Sequence, residues 1–197
     1  MASPIAHTVV GLTLGSAWFL PHARPRDWIA SARAHWRGLL GCVLLSNAPD
    51  IDYLFGLPVG NFNAYHQYGT HTFGFVLALV LGSWWLWNLR DPGQARAHLL
   101  LLSALGFSHL LIDLVSGDTG APYGIMALWP FTPRRIYWPD AAIFMDLDKS
   151  SLFNLHNFHA GLRELRLTLP ALAFILIWKS LPWGNCRALP PAKSSES

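Results

Sequence analysis

The sequence predicts an all-α fold, an integral membrane helical bundle of about four to five helices with a long irregular loop before the last helix. Two observations lead to this prediction. Hydrophobic residues make up 52% of the 197 residues and charged residues only 13%, which is about half the charged share of soluble domains. In addition, five apolar stretches recur along the chain, and a helix of roughly 20 apolar residues crosses a bilayer.

The apolar stretches are the candidate helices. They cover residues 5–20, 38–57, 73–89, 97–115 and 167–183. The third and fourth come closest to the length of a membrane span. Ser3 followed by Pro4 is typical of a helix start and places His7 about one turn into the first helix. Pro49 interrupts the second stretch just before Asp50.

The remaining segments connect these helices. Residues 116–166 are rich in Gly, Pro, Trp and Asp and are expected to form an extramembrane loop with short elements. We predict one membrane-embedded domain over residues 1–185 and a disordered tail over residues 186–197. If the helices alternate in direction, residues 21–37, residues 90–96 and the tail share one arginine-bearing side. The positive-inside rule makes that side cytoplasmic.

The basic residues and cysteines exclude other classes. The arginines stand singly or in pairs between apolar runs, so no direct nucleic-acid binding is expected. Cys42 lies in an apolar run and Cys186 in the tail, a pattern that indicates neither a disulfide framework nor a thiolate cluster. Most of the ten tryptophans lie near the ends of apolar runs, as in the aromatic belts of membrane proteins.

Alternation of the helices also sorts the polar residues between the two faces of the membrane. His22, His35 and His98 fall on the cytoplasmic side. The residues that fall on the opposite side are His7, Asp50, Asp52, His66, His71, His109 and Asp113. Unrelated surface histidines have no reason to separate in this way. We therefore expect these seven residues to converge on a metal site at the extracytoplasmic face.

Within this set, His109 and Asp113 are four residues apart in an apolar helix, so they share one face. Both can bind one metal, or the aspartate can orient the imidazole. Ionisable groups inside membrane helices are usually functional, although a buried hydrogen-bonded pair without metal is the plainer alternative. Asp50 and Asp52 follow a proline, where both carboxylates can turn towards one cation or act as turn residues.

His66 and His71 flank a turn at Gly69, and Thr70 is expected to cap the helix that begins near His71. Imidazole is a common ligand of zinc and related metals. A lone interfacial histidine is more often an ordinary hydrogen-bonding residue, so the prediction depends on the whole set. Four further residues could complete the site or could be interfacial surface: His156, His159, Glu164 and Asp118.

Several segments in this order resemble one family. They are residues 3–7, 49–52, 66–72, 108–113 and 128–131. The resemblance is to the YdjM-like family of bacterial inner-membrane proteins, described as metal-dependent hydrolases and as LexA-binding. Around the paired histidines, Gln67 stands where the family usually has arginine, and Thr72 stands where it has serine.

The family is distantly similar to the zinc phospholipase C and single-strand nuclease superfamily. His109 and Asp113 match the His-x-x-x-Asp pair of that superfamily. Its His-x-x-x-Glu pair has no match, because the spacing from His159 to Glu164 is one residue too long.

Together, the residues and the resemblance imply a multi-pass protein of the inner membrane that hydrolyses a phosphoester or lipid-type substrate with a metal-activated water. Zinc is the expected metal, with manganese as an alternative. Asp50 and Asp113 are the predicted catalytic carboxylates. The expected partners are membrane lipids and a small-molecule or lipid substrate. The alternative is a non-catalytic protein with a structural metal that binds a partner such as a LexA-type repressor. An ion pathway is disfavoured, because residues 73–89 and 97–107 carry few polar groups.

Overall fold

The described part of the chain is helical. A computed structural model describes residues 3–23, 25–61, 64–117, 123–138, 143–144, 147–148 and 154–181. The α-helices are α1 (Pro4–Phe19), α2 (Pro25–Ala34), α3 (Trp36–Ser46), α4 (Tyr53–Gly56), α5 (Phe73–Asn88), α6 (Ala95–Leu114) and α7 (Leu155–Ser180). Short 3₁₀ turns lie at Ala48–Asp52, Leu57–Val59, Gly69–His71 and Pro92–Gln94. Within these residues, β-structure is limited to two isolated bridges. The all-α prediction is confirmed, with more helices than expected.

Side-chain caps fix where the helices begin. Ser3 Oγ accepts a hydrogen bond from Ile5 N at 3.2 Å, and proline occupies the first helical position of α1, as predicted. Thr72 Oγ1 accepts from Phe75 N at 3.0 Å and caps α5. The prediction that Thr70 caps this helix is wrong, because its hydroxyl bonds an aspartate instead.

Three boundaries differ from the sequence prediction. Residues 21–37, expected to be a loop, contain α2. The second apolar stretch does not form one helix, because α3 ends at Ser46 and a 3₁₀ turn containing Pro49 follows. The expected loop over residues 116–166 is shorter than predicted, since α7 begins at Leu155. The first turns of α7 are polar, so hydropathy gave no sign of them.

Helix α1 packs against α3, α6 and α7, and α5 packs against α6. The approach of α1 to α3 is close, because a Cβ atom on Gly11 would lie 2.9 Å from the Cα atom of Val43. Val76, Val80 and Leu105 are fully buried between α5 and α6. This packing holds the N-termini of α1 and α5 beside the C-termini of α3 and α6.

Membrane-spanning length is a stricter test than apolar composition. Among the described residues, one helical segment is both long enough and apolar enough to cross a membrane. It is Pro92–Leu114, which contains α6. The apolar helices α3 and α5 are shorter than a full span. The predicted bundle is therefore confirmed as helical, while the number of membrane crossings stays a prediction. The tail over residues 186–197 lies outside the described residues.

Candidate metal centre

Histidines and aspartates from separate helices meet at one end of the bundle. His7 comes from the end of the first turn of α1, Asp50 from the turn after α3, and His71 from the turn before α5. His109 and Asp113 come from the last two turns of α6. The three histidines are at most 1% exposed, and the Asp113 side chain is fully buried. Five of the seven residues expected to converge therefore lie close together in the structure.

Two carboxylate oxygens at this centre lie at similar distances from a close pair of imidazole nitrogens. His71 Nε2 and His109 Nε2 are 3.2 Å apart. Asp113 Oδ2 lies 3.3 Å from His71 Nε2 and 3.4 Å from His109 Nε2. Asp50 Oδ1 lies 3.5 Å from each of the same nitrogens. Ligands at about 2.0–2.1 Å from a tetrahedral zinc ion are about 3.3–3.4 Å from one another, so the spacing of His71, His109 and Asp113 fits three ligands of one cation.

The contacts of His109 and His71 indicate the same tautomer for both imidazoles, with the proton on Nδ1. His109 Nδ1 lies 2.8 Å from the carbonyl oxygen of Ser46, which only accepts, so Nδ1 carries the proton. His71 Nδ1 lies 3.1 Å from Asp52 Oδ2, which favours the same tautomer. In neutral imidazoles of this kind, both Nε2 lone pairs face one point. At 3.2 Å the lone pairs repel each other unless a cation or a proton lies between them.

Hydrogen bonding leaves several atoms of the centre unsatisfied. Within the described residues, these buried atoms make no hydrogen bond: His7 Nδ1, His7 Nε2, Asp50 Oδ2, Asp113 Oδ1 and Asp113 Oδ2. His7 Nε2 is 3.5 Å from Asp113 Oδ1, whereas a charge-assisted bond would measure about 2.7–2.9 Å. Buried polar atoms are normally paired. The spacing therefore suits coordination of a cation better than bonding between the side chains.

The donors form overlapping groups. There are three sets of three residues, and within each set the ligand atoms lie within 4.8 Å of one another. The sets are His7 with Asp50 and His109, Asp50 with His66 and His71, and His71 with His109 and Asp113. Asp50 belongs to two of these sets. Its side chain is 10% exposed, while those of His71, His109 and Asp113 are 0% exposed. Asp50 is thus the member of this group that solvent reaches.

Asp52 orients histidines instead of joining these sets. Its Oδ1 lies 2.7 Å from His66 Nδ1. Its Oδ2 accepts from Gln67 N at 3.1 Å and from Thr70 Oγ1 at 2.7 Å, and faces His71 Nδ1. Burial alone would raise the pKa of the Asp52 carboxyl, but the bonds from His66 and His71 hold it well below its ordinary value. A carboxylate that fixes two imidazoles is a common support of metal ligands.

The chain matches a known protein family. A family model described as "YdjM inner membrane protein" matches residues 1–184. The chain belongs to the YdjM inner membrane protein family. No curated protein and no solved structure matches it significantly. The predicted relation of the YdjM family to the phospholipase C and nuclease superfamily stays a prediction.

Other residues singled out in this YdjM-family sequence lie elsewhere. His156 and His159 are on the exposed surface of α7 and belong to none of the three donor sets. His98 is buried at the opposite end of α6, where its ring stacks on Trp87 at 4.2 Å. Asp118 falls outside the described residues. The separation of His98 from the centre agrees with the predicted sorting of histidines.

Glu164 supports the centre from a distance. It is fully buried on α7, and its carboxylate accepts hydrogen bonds from Ser3 N at 2.6 Å, from Ser3 Oγ and from Ala6 N at 3.2 Å. These donors belong to Ser3 and Ala6 at the N-terminus of α1, and Ala6 directly precedes His7. A carboxylate at a helix N-terminus satisfies backbone groups that the helix cannot bond itself. Glu164 therefore anchors the turn that carries His7.

Sequence reasoning missed further contributors. The Ser46 carbonyl orients His109, and Ser46 Oγ donates to the carbonyl of His7 at 2.9 Å. The ring of Tyr53 stacks on His66 with centroids 4.0 Å apart. A backbone carbonyl carries no sequence signal. Ser46, a serine at the end of an apolar helix, was a visible but weak sequence signal.

Metal affinity is expected to depend on pH through His71. Burial would lower the pKa of this imidazole, but contacts with Asp113, Asp50 and Asp52 raise it well above 6.5. Protons therefore compete with metal above pH 6.5, and affinity should rise with pH by about tenfold per unit for each proton displaced. Chelator competition between about pH 6 and 8 measures this. An affinity that is already constant above pH 6.5 would contradict it.

Proposed function

We propose that this protein is a membrane-bound metal-dependent hydrolase that acts on phosphoester bonds. The observation that supports it best is the close approach of two imidazole nitrogens and two carboxylate oxygens, with five distances of 3.2–3.5 Å between them. Nitrogen and oxygen donors of this kind suit zinc or manganese. Membership of an inner membrane family agrees with a site at the end of an apolar helix.

The ligands in this proposal are assigned by atom. His71 Nε2, His109 Nε2 and Asp113 Oδ2, which form one donor set, would hold one divalent cation, and Asp50 Oδ1 lies 3.5 Å from both nitrogens. His7 Nε2 faces the second oxygen of Asp113, and His66 stands beside Asp50 and His71, so these residues would supply donors for a further ion. When bound, a divalent cation is a Lewis acid that lowers the pKa of water and polarises the phosphoryl group.

The two predicted catalytic carboxylates have different surroundings. Asp113 is fully buried and faces three histidines, so we assign it to metal binding alone. The Asp50 side chain is 10% exposed, and its Oδ2, itself buried, makes no hydrogen bond within the described residues. We assign Asp50 Oδ2 as the acceptor of the proton from the attacking water. Water adds to phosphorus, the bond to the alcohol oxygen breaks, and the proton passes to the alcohol.

The position in the membrane is part of the proposal. Helix α6 crosses the bilayer, and the metal centre lies at its C-terminal end. The short apolar helices α1, α3 and α5 would cross with tilt or local thinning of the bilayer. The arginine-bearing side is cytoplasmic by the positive-inside rule, which puts the metal centre on the extracytoplasmic side of a multi-pass protein.

One observation favours the alternative of a structural metal. Asp50 Oδ1 lies 3.5 Å from both imidazole nitrogens, and as a fourth ligand it would close a tetrahedral coordination sphere, whereas catalytic zinc sites keep one position open. In that case the site would stabilise the bundle, and the protein would serve binding, for example of a LexA-type repressor. The exposure of Asp50 and the additional donors His7 and His66 favour the catalytic function instead.

The test combines metal analysis with an assay on the same sample. Full-length protein purified in detergent is compared with His109→Ala and with His159→Ala, which removes an exposed imidazole of α7. Elemental analysis gives metal per chain, and release of nitrophenol from bis(p-nitrophenyl) phosphate gives activity. We expect near-stoichiometric zinc or manganese and metal-dependent hydrolysis in the wild type and in His159→Ala, with both lost in His109→Ala.

Two results would overturn the proposal. Bound metal without hydrolysis, for this diester and for phosphomonoesters, would favour the structural site. Folded wild-type protein that takes up no zinc or manganese, even after addition, would exclude both metal functions.

A further inference from the structure

A cavity lined by aromatic side chains lies next to the metal centre. Its volume is about 390 Å³, and it is lined by Asp52, Phe55, Tyr65, Tyr68, Gly69 and Thr70. Asp52 is the carboxylate that orients His66 and His71, so one side of the cavity borders the support of the metal ligands. The other lining residues are three aromatic rings, Gly69 and Thr70. Such walls suit an apolar group better than a charged one.

The chain around this cavity is apolar and uncharged. Residues 53–89 contain no Asp, Glu, Lys or Arg. The turns beside the cavity expose large apolar side chains, which are Ile51, Leu54, Phe55, Leu57 and Val59, each about half exposed, between 48% and 58%. A patch of this kind marks an interaction surface. In an inner membrane protein, at the end of a spanning helix, the surface that covers it is the bilayer.

A basic and aromatic segment adjoins the same cavity. The guanidinium of Arg135 lies 4.7 Å from the ring centroid of Tyr68, a cavity residue. Residues 123–138 carry Arg134 and Arg135 and no acidic residue. They also expose aromatic rings, with Phe131 at 94%. Exposed aromatic residues next to arginines are typical of contact with lipid headgroups.

A second cavity lies on the side of these arginines. It measures about 410 Å³ and is lined by Leu128, Thr132, Arg134, Arg135, Ile136 and Tyr137. Arg135 lines this second cavity and contacts the wall of the first. The two cavities therefore offer an apolar compartment and a cationic one that meet at the Tyr68–Arg135 contact. An amphiphile with an anionic headgroup has the matching chemistry.

We propose that the aromatic cavity binds the acyl chain of an anionic membrane phospholipid, whose headgroup charge is held by Arg134 and Arg135. This inference rests on the hydrolase function proposed above and names the class of its substrate. The lipid enters from the bilayer, past the apolar turns, and not from the aqueous phase.

Gly69 offers a way to close the cavity. A Cβ atom at this position meets no described atom within 4 Å, and the glycine lines the aromatic cavity. Gly69→Phe therefore places a ring in the space proposed for the acyl chain. Gly82 on α5 has the same open surroundings outside the cavity, so Gly82→Phe is the matched control. Phe55→Gln, a change at a side chain that is 57% exposed, is a second variant for the cavity.

The experiment uses metal-loaded full-length protein in phosphatidylglycerol vesicles that contain a small fraction of the same lipid with a diazirine in its acyl chain. After irradiation, mass spectrometry locates the label. We expect label in residues 51–70, reduced about tenfold in Gly69→Phe, as for a loss of about 1.4 kcal/mol in binding. We also expect a reduction in Phe55→Gln and none in Gly82→Phe. Zwitterionic phosphatidylcholine should label these residues less, and millimolar inorganic phosphate should not compete.

Contrary outcomes are distinct. Equal labelling of residues 51–70 in the wild type and both cavity variants would overturn the proposal, as would label confined to the outer faces of α5 and α6. Equal labelling by the two lipids would overturn the anionic class, and competition by phosphate would indicate a soluble ligand. Metal content and diester hydrolysis are measured on the same samples. If both persist without labelling, the lipid inference alone fails; if both are absent, the hydrolase function fails.

Discussion

Replacing Asp113 with asparagine is expected to remove stoichiometric metal from the purified protein. Its two oxygens face His7, His71 and His109 at 3.3–3.5 Å. The amide keeps the volume of the carboxylate but loses its charge and turns a donor towards the imidazoles. In a fully buried site, water cannot replace the lost oxygen. The measurement is metal per chain by elemental analysis, with thermal unfolding to show that the bundle remains folded.

Asp52→Asn is the graded comparison for this result. Asp52 bonds His66 and His71 through their Nδ1 atoms and lies outside the three donor sets. Loss of an orienting carboxylate typically weakens metal binding by about 10–100-fold. We therefore expect Asp52→Asn to bind metal more weakly than the wild type and Asp113→Asn to bind none. An Asp113→Asn protein that binds as tightly as Asp52→Asn would contradict the assignment of Asp113 as a ligand.

Replacing Glu164 with leucine is expected to cause the largest loss of stability. The change leaves the donors Ser3 N and Ser3 Oγ without their acceptor in a buried position, while Ala6 N keeps its bond to the Ser3 carbonyl. Each unsatisfied buried donor costs about 1–3 kcal/mol. We expect the free energy of unfolding to fall by about 1–3 kcal/mol for each of these two donors, measured by denaturant unfolding in detergent. Because the same turn of α1 carries His7, metal affinity should fall as well.

The control for this variant is Arg166→Leu, an equal gain of apolar surface at an exposed position of α7. Its stability should stay within about 0.5 kcal/mol of the wild type. If Glu164→Leu unfolds at the same denaturant concentration as this control, Glu164 does not anchor α1.

Hydropathy predicted some of the fold and not the rest. The apolar runs over residues 5–20, 73–89 and 97–115 became α1, α5 and α6 with small changes at their ends. Helix α2 and the first turns of α7 were missed, because amphipathic and polar helical segments lack a long apolar run. The second stretch failed as a single helix because Pro49 breaks it.

The candidate site was more predictable than the fold. The positions of His7, Asp50, His71, His109 and Asp113 relative to the helix ends were enough to place them together. What the sequence could not distinguish is a donor at the centre from a residue that orients one. Asp50 and Asp52 look equivalent in the sequence, yet the 3₁₀ turn points one at the centre and the other at His66. Glu164 was a candidate for the site, but its anchoring role carried no sequence signal, because its partners are Ser3 and the backbone of Ala6 at the start of a distant helix.

The donors of the centre come from helices that are far apart along the chain. His7 is on α1, and Asp113 is on α6, which is synthesised later. A metal site that needs both residues can form only after α6 has packed on α1. Under the function proposed above, capture of a metal would therefore be a late step of folding. A bound cation would then hold α1 in place only in chains whose later helices have adopted the correct arrangement.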